Sequence, residues 1–143
     1  MRKQENEYLR LYYIRLRLAA VLNILDITKI VSLFFNKSEL TYKKSFRQAN
    51  LKSLLFGLNV RCNRLLEEAL YHAEAIKSED KELQNTSDKL IKIISSKRHE
   101  LLQSQQLLEK RLIEDALDKL AKAKDGLDEL VQILDVQLKK RLA

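Results

Sequence analysis

A helix that is apolar over most of its circumference has to be covered by something, and residues 8–35 of this chain describe such a helix. The segment YLRLYYIRLRLAAVLNILDITKIVSLFF holds twenty apolar or aromatic side chains among its twenty-eight residues. Nothing in it interrupts a helix, because the 143-residue chain contains no proline and both of its glycines lie far downstream. Lipid is the poorest cover. The longest unbroken apolar run is residues 18–22, and Arg15, Arg17, Asn23, Asp26 and Lys29 fall where hydrocarbon would lie, which is costly for charges. An interfacial helix would instead pair a charged face with low overall hydrophobicity. The segment therefore predicts a buried bundle helix whose few charges leave to one side, with Phe34 and Phe35 closing one end of the bundle.

The remainder of the chain predicts more helices. Hydrophobic residues make up 45% and charged residues 33%, a globular balance, and no alternating β-branched run is bounded by turn signals. Asn36-Lys37-Ser38-Glu39 is the first break, since Asn36 can end a helix and Ser38 can cap the next. So short a connection implies an antiparallel neighbour. A second helix carries the stripe Leu51, Leu55, Leu58, Cys62, Leu65, Ala69, His72 and Ile76, with Gly57 beside the seam. Close approach of another backbone is one use for that glycine. Segment 77–89 holds a single apolar residue, Leu83, so the second turn is expected there, with Asn85 or Thr86 capping the third helix.

Asp125-Gly126 reads as a turn, yet the spacing Ile113, Leu117, Leu120, Lys124, Leu127, Val131, Leu134, Leu138 keeps its phase through it. A true hairpin gives no reason for phase to persist. The expected fold is all-α: an elongated antiparallel bundle of three long helices over about 4–35, 39–77 and 87–142. The alternative is a last helix broken near Gly126 to give four, with 127–142 folding back. The whole chain is expected to be one helical domain, made of a basic, hydrophobic hairpin (1–77) and a coiled-coil-like helix (87–142). At about 1.5 Å per residue the third helix would run roughly 80 Å and overhang the other two. Its free end would pack against a partner helix through Leu127, Leu130, Val131, Leu134 and Leu138.

Charge is unevenly placed. Residues 1–64 carry thirteen Lys/Arg against four Asp/Glu, a net of +9, whereas residues 65–143 are −2. Two halves that attract each other on folding account for this, and an anionic partner is the alternative. The strongest anion-binding candidates are Lys43, Lys44, Arg47 and Lys52, interleaved with Tyr42 and Phe46. Basic groups there would neutralise phosphates while an aromatic ring stacks on a base. An anionic membrane surface is a further reading. No helix-turn-helix spacing accompanies the segment.

Catalysis leaves no trace in the chain. It holds no Gly-rich phosphate loop, no G-x-S-x-G and no H-E-x-x-H. Glu68 and His72 share a helix face, but a di-iron bundle needs Glu-x-x-His twice and further inward glutamates. His99-Glu100-Leu101 resembles the start of the phospho-accepting box of histidine-kinase hairpins, but the proline that ends that box is missing. Cys62 lies on the apolar seam and reads as a small core residue. One cysteine allows no internal disulfide, which fits a reducing, cytoplasmic compartment, and the N-terminus lacks the pattern of a secretory leader. The expected function is a non-enzymatic helical protein–protein interaction module, a scaffold, adaptor or chaperone-like subunit. It would use no metal, cofactor or small-molecule substrate and would act through self-association or a protein partner. A small basic nucleic-acid-binding accessory protein is the alternative. Tyr8, Tyr12 and Tyr13 are the candidate exposed aromatic surface.

Overall fold

Among its described residues the computed structural model has four helices of nearly equal length: α1 (Arg2–Asn36), α2 (Lys44–Glu74), α3 (Lys81–Glu109) and α4 (Ile113–Leu142). The structure describes the backbone of residues 2–36, 44–110 and 112–142, and the side chains of 6–31, 51–110 and 112–140. Each helix packs on its neighbours in a closed ring, α1 on α2, α2 on α3, α3 on α4 and α4 back on α1. Paired residues run in opposite directions at the seams, as Ser87 with Ala73 and Asn59 with Leu101 show between α2 and α3. The result is an up-down-up-down bundle. No helix among the described residues is long and apolar enough to cross a membrane.

Three expectations about the helices need correction. The third helix of 87–142 does not exist, because the chain turns back between Glu109 and Ile113. There the Lys110 amide donates to the Gln106 carbonyl at 3.1 Å and the Leu112 amide to the Leu107 carbonyl at 2.9 Å. Nor does Gly126 break anything. It lies inside α4, where its missing Cβ leaves room for the Lys97 side chain, whose Cε would be 2.7 Å from an added Cβ. Lys97 uses that space to reach across to α4 and donate to the Lys122 carbonyl at 3.2 Å. Finally, α3 starts at Lys81 rather than 87. Asp80 caps it by accepting from the amides of Glu82 (3.0 Å) and Leu83 (3.5 Å), while Thr86 is interior and bonds back to the Glu82 carbonyl. The expected first break at 37–39 lies outside the described residues, as do the side chains of Phe34 and Phe35.

Equal helix lengths explain why the fold closes. Helices of 35, 31, 29 and 30 residues run roughly 45–50 Å each, so α4 folds back alongside the others instead of extending beyond them as a single long helix would. Leu127, Leu130, Leu134 and Leu138 are buried in this chain's own core, and Val131 packs half-buried against them. They are not a free seam for a partner helix. The main core runs through all four helices, from Leu11, Ile14 and Leu18 of α1 to Leu90, Ile94 and Leu101 of α3. A second, smaller cluster of Leu51, Leu55, Leu108 and Ala116 fills the end beside the α3–α4 turn.

The inward stripe of α2 is Leu51, Leu55, Asn59, Cys62, Leu66, Ala69 and Ala73, continued past the helix end by Ile76, with Leu58, Leu65 and His72 turned to its edge. Asn59 is tolerated in that stripe because both ends of its amide are satisfied. Its Nδ2 donates to the Leu101 carbonyl at 3.1 Å, and its Oδ1 accepts from Gln105 at 2.9 Å, as buried polar groups require. Ser104 likewise donates to the Ala116 carbonyl across the α3–α4 seam at 3.0 Å. Such bonds fix the register that leucine packing alone leaves loose.

Candidate interaction surface

The charges of α1 decide what the bundle presents to solvent. Arg10 and Arg17 lie on the flank facing α2, and Arg15 and Asp26 on the flank facing α4. Arg17 Nε donates to Glu68 at 3.0 Å and Arg10 Nη1 to His72 Nδ1 at 3.3 Å. On the opposite flank Arg15 pairs with Asp135, and Lys124 donates to Asp26 at 2.6 Å. The charges thus leave by both sides of the helix, not by one as expected. Each is drawn sideways onto the neighbouring helix.

Between those flanks, the outward arc of α1 from Leu9 to Ile30 carries no charged residue. It consists of Leu9, Tyr12, Tyr13, Leu16, Ala19, Ala20, Asn23, Ile27 and Ile30. Six of these are large apolar groups between 39% and 65% exposed, aligned at helical spacing over roughly 30 Å. Scattered exposed leucines need no explanation, whereas an apolar strip rimmed by polar groups is what makes this arc the candidate contact surface. Of the three candidate tyrosines, Tyr12 and Tyr13 lie on this arc, while Tyr8 is half-buried and packs on the core. Leu9, Leu16, Ile27 and Ile30 belong to the segment expected to be buried under the later stripes, and they are not. In the bundle α1 touches α2 and α4, and two neighbours cannot enclose a third side. The signal is present in the positions of the charges, which leave one arc of the helix empty.

The arc continues onto α2 through a chain of rings. Tyr13 and His72 have ring centroids 5.4 Å apart, and His72 and Tyr71 are 5.5 Å apart. The Arg17 guanidinium sits 5.7 Å from the Tyr13 ring centroid, within range of a cation–π attraction. A shallow groove of about 540 Å³ runs beside them, lined by Arg17, Arg64, Glu67, Glu68, Tyr71 and His72. Partial burial, then the charges of Arg17 and Arg10, hold the His72 pKa below its usual value, against a smaller opposing pull from Glu68. A neutral imidazole accepting from Arg10 at Nδ1 fits that shift and carries its proton on Nε2.

The other candidates are structural or lie elsewhere. Burial pushes the Cys62 thiol up to about 12, so it stays protonated and unreactive. Glu68 and His72 are engaged by Arg17 and Arg10, and among the described residues no three His, Cys, Asp or Glu side chains are grouped to hold a metal ion. His99 is exposed and within 3.2 Å of the Gln103 amide. Among the anion-binding candidates, Lys43 and the side chains of Lys44 and Arg47 lie outside the described residues, and Lys52 is half-buried. Searches against protein-family models, curated proteins and solved structures return no significant match to this chain.

Proposed function

We propose that this protein is a non-enzymatic helical interaction module, a scaffold, adaptor or chaperone-like subunit, that docks protein through the outward face of α1. One observation carries the reading: the uncharged, largely apolar arc from Leu9 to Ile30, exposed at all its positions but the half-buried Ala19 and Ala20 and bordered on both flanks by ion pairs. Each of the six large groups is already about half-buried, so covering one gains roughly half of the 1.5–3 kcal/mol that full burial of a large apolar side chain is worth. A partner that covers several of them gains this at each. The seam at Leu127, Leu130, Leu134 and Leu138 is already used by the bundle, so the interaction shifts from α4 to α1. A reducing, intracellular setting belongs to the same reading, supported by a lone cysteine buried in the core.

Photo-crosslinking from single sites tests it. A photoreactive residue at Ile27 should give a defined protein adduct in the native source, whereas one at Lys92 on the exposed side of α3 should not. Equal yields from both faces, or none from Ile27, would reject the reading. If the basic first half instead binds nucleic acid, association falls steeply with salt and Lys43→Glu/Lys44→Glu abolishes it while Ile27→Asp does not.

A further inference from the structure

Resting on that reading of α1, we propose that the occupant of the arc is a second copy of this chain, lying antiparallel across it about a twofold axis level with Ala19 and Ala20. A symmetric contact needs a surface complementary to itself under reversal, and three observations meet that need.

The first is the spacing of the arc. Eight of its nine positions, 9, 12, 16, 19, 20, 23, 27 and 30, read the same in both directions about the midpoint between Ala19 and Ala20, and the ninth, Tyr13, falls opposite the partner's Asp26. Reversal sets Leu9 opposite the partner's Ile30, Tyr12 opposite the partner's Ile27 and Leu16 opposite the partner's Asn23. Large side chains stand toward the two ends, and two alanines stand where the helices cross, so the backbones can approach closely there.

The second is area. The six large apolar groups of the arc are each 39–65% exposed, and covering all of them on both copies would remove at most on the order of 1,200 Å², the lower edge of stable specific interfaces. The ring chain through His72 to Tyr71, which is 66% exposed, adds to this at the border.

The third is the rim. In this symmetry each flank meets its own counterpart, reversed end for end. On the α2 flank Arg61 and Arg64 precede Glu67 and Glu68. The Arg17–Glu68 bridge sets α2 in register with α1, so the midpoint of those four charges falls close to the level of Ala19 and Ala20. Reversal then brings the basic pair of one copy to the acidic pair of the other. On the α4 flank the Arg15–Asp135 and Lys124–Asp26 bridges lie on either side of the midpoint, and reversal sets one bridge of each copy beside the other bridge of its partner.

Single-cysteine crosslinking of the full-length chain reads out both the contact and its direction, with Cys62 silent in the core. Ala20→Cys, next to the axis, should form a disulfide-linked dimer on mild oxidation. Leu9→Cys alone and Ile30→Cys alone should not, whereas an equimolar mixture of the two should. Sedimentation of Ile27→Glu should show dimerisation weakened more than roughly tenfold, with the helical circular-dichroism signal unchanged. A chain that sediments as a monomer at every concentration, or a Leu9→Cys variant that links to itself as readily as Ala20→Cys, would overturn the antiparallel dimer. An adduct from Ile27 to a different protein, with no self-adduct, would overturn self-pairing and leave the docking role of α1 standing.

Discussion

The two glycines sit in helices, and a Cβ added to them would meet different surroundings. Nothing lies within 4 Å of a Cβ built on Gly57, so no close backbone approach explains it. Gly57→Ala should stabilise the fold by about 1 kcal/mol, the difference in helix propensity, as urea unfolding would show. Gly126→Ala should gain less, because its Cβ displaces the Lys97 chain that bonds to the Lys122 carbonyl. Equal gains at both sites would contradict that role for Lys97. His72 gives a second residue-scale test. Its folded pKa is lowered, so its neutral form is favoured by folding. That contribution is complete above the unfolded value of about 6.5 and is lost as pH falls through the folded pKa. Stability should therefore drop on acidification below about pH 6.5, and His72→Gln should flatten that step in Tm against pH.

The helix boundaries rest on signals of very different clarity. The Ser78–Asp80 region is legible once the cap is sought one turn earlier than Asn85. Asp80 accepts from two orphan amides, and Gln84 reaches back to accept from the Ser78 amide at 2.9 Å. Asp80→Ala should cost about 1 kcal/mol, measurable as a lowered urea midpoint with unchanged slope. The α3–α4 turn carries no comparable signal. Neither glycine nor proline marks residues 110–112, and apolar residues at 107, 108, 112 and 113 continue the helical pattern through them. Phase continuity correctly argued that Gly126 is helical. The same continuity hid the real turn, because Leu108 and Ala116 bury in one cluster on either side of it. Local propensity favours a helix through 110–112, and only the gain from folding α4 back onto α1 and α3 outweighs it.

At the scale of the molecule, inward and outward apolar residues separate by what a charge does to them. Leu134→Asp places a carboxylate in a fully buried position, a loss of several kcal/mol, and should melt the bundle at a much lower temperature. Ile27→Asp, on an exposed site, should leave Tm nearly unchanged while abolishing association. Thermal unfolding followed by circular dichroism, beside sedimentation, separates the two. Had Leu134 faced a partner, the outcomes would be exchanged. Composition and periodicity by themselves determined the all-α class, the breadth of the apolar surface on α1 and the amphipathic character of α3 and α4, because these follow from residue type and the 3.6-residue turn. Only the tertiary structure decided the number of helices and which apolar face stays bare. Both depend on how many neighbours each helix gains when the chain closes into a ring. With α2 and α4 on its two flanks, α1 has its inner face in the core and its outer face in water, a division that helix periodicity alone does not specify.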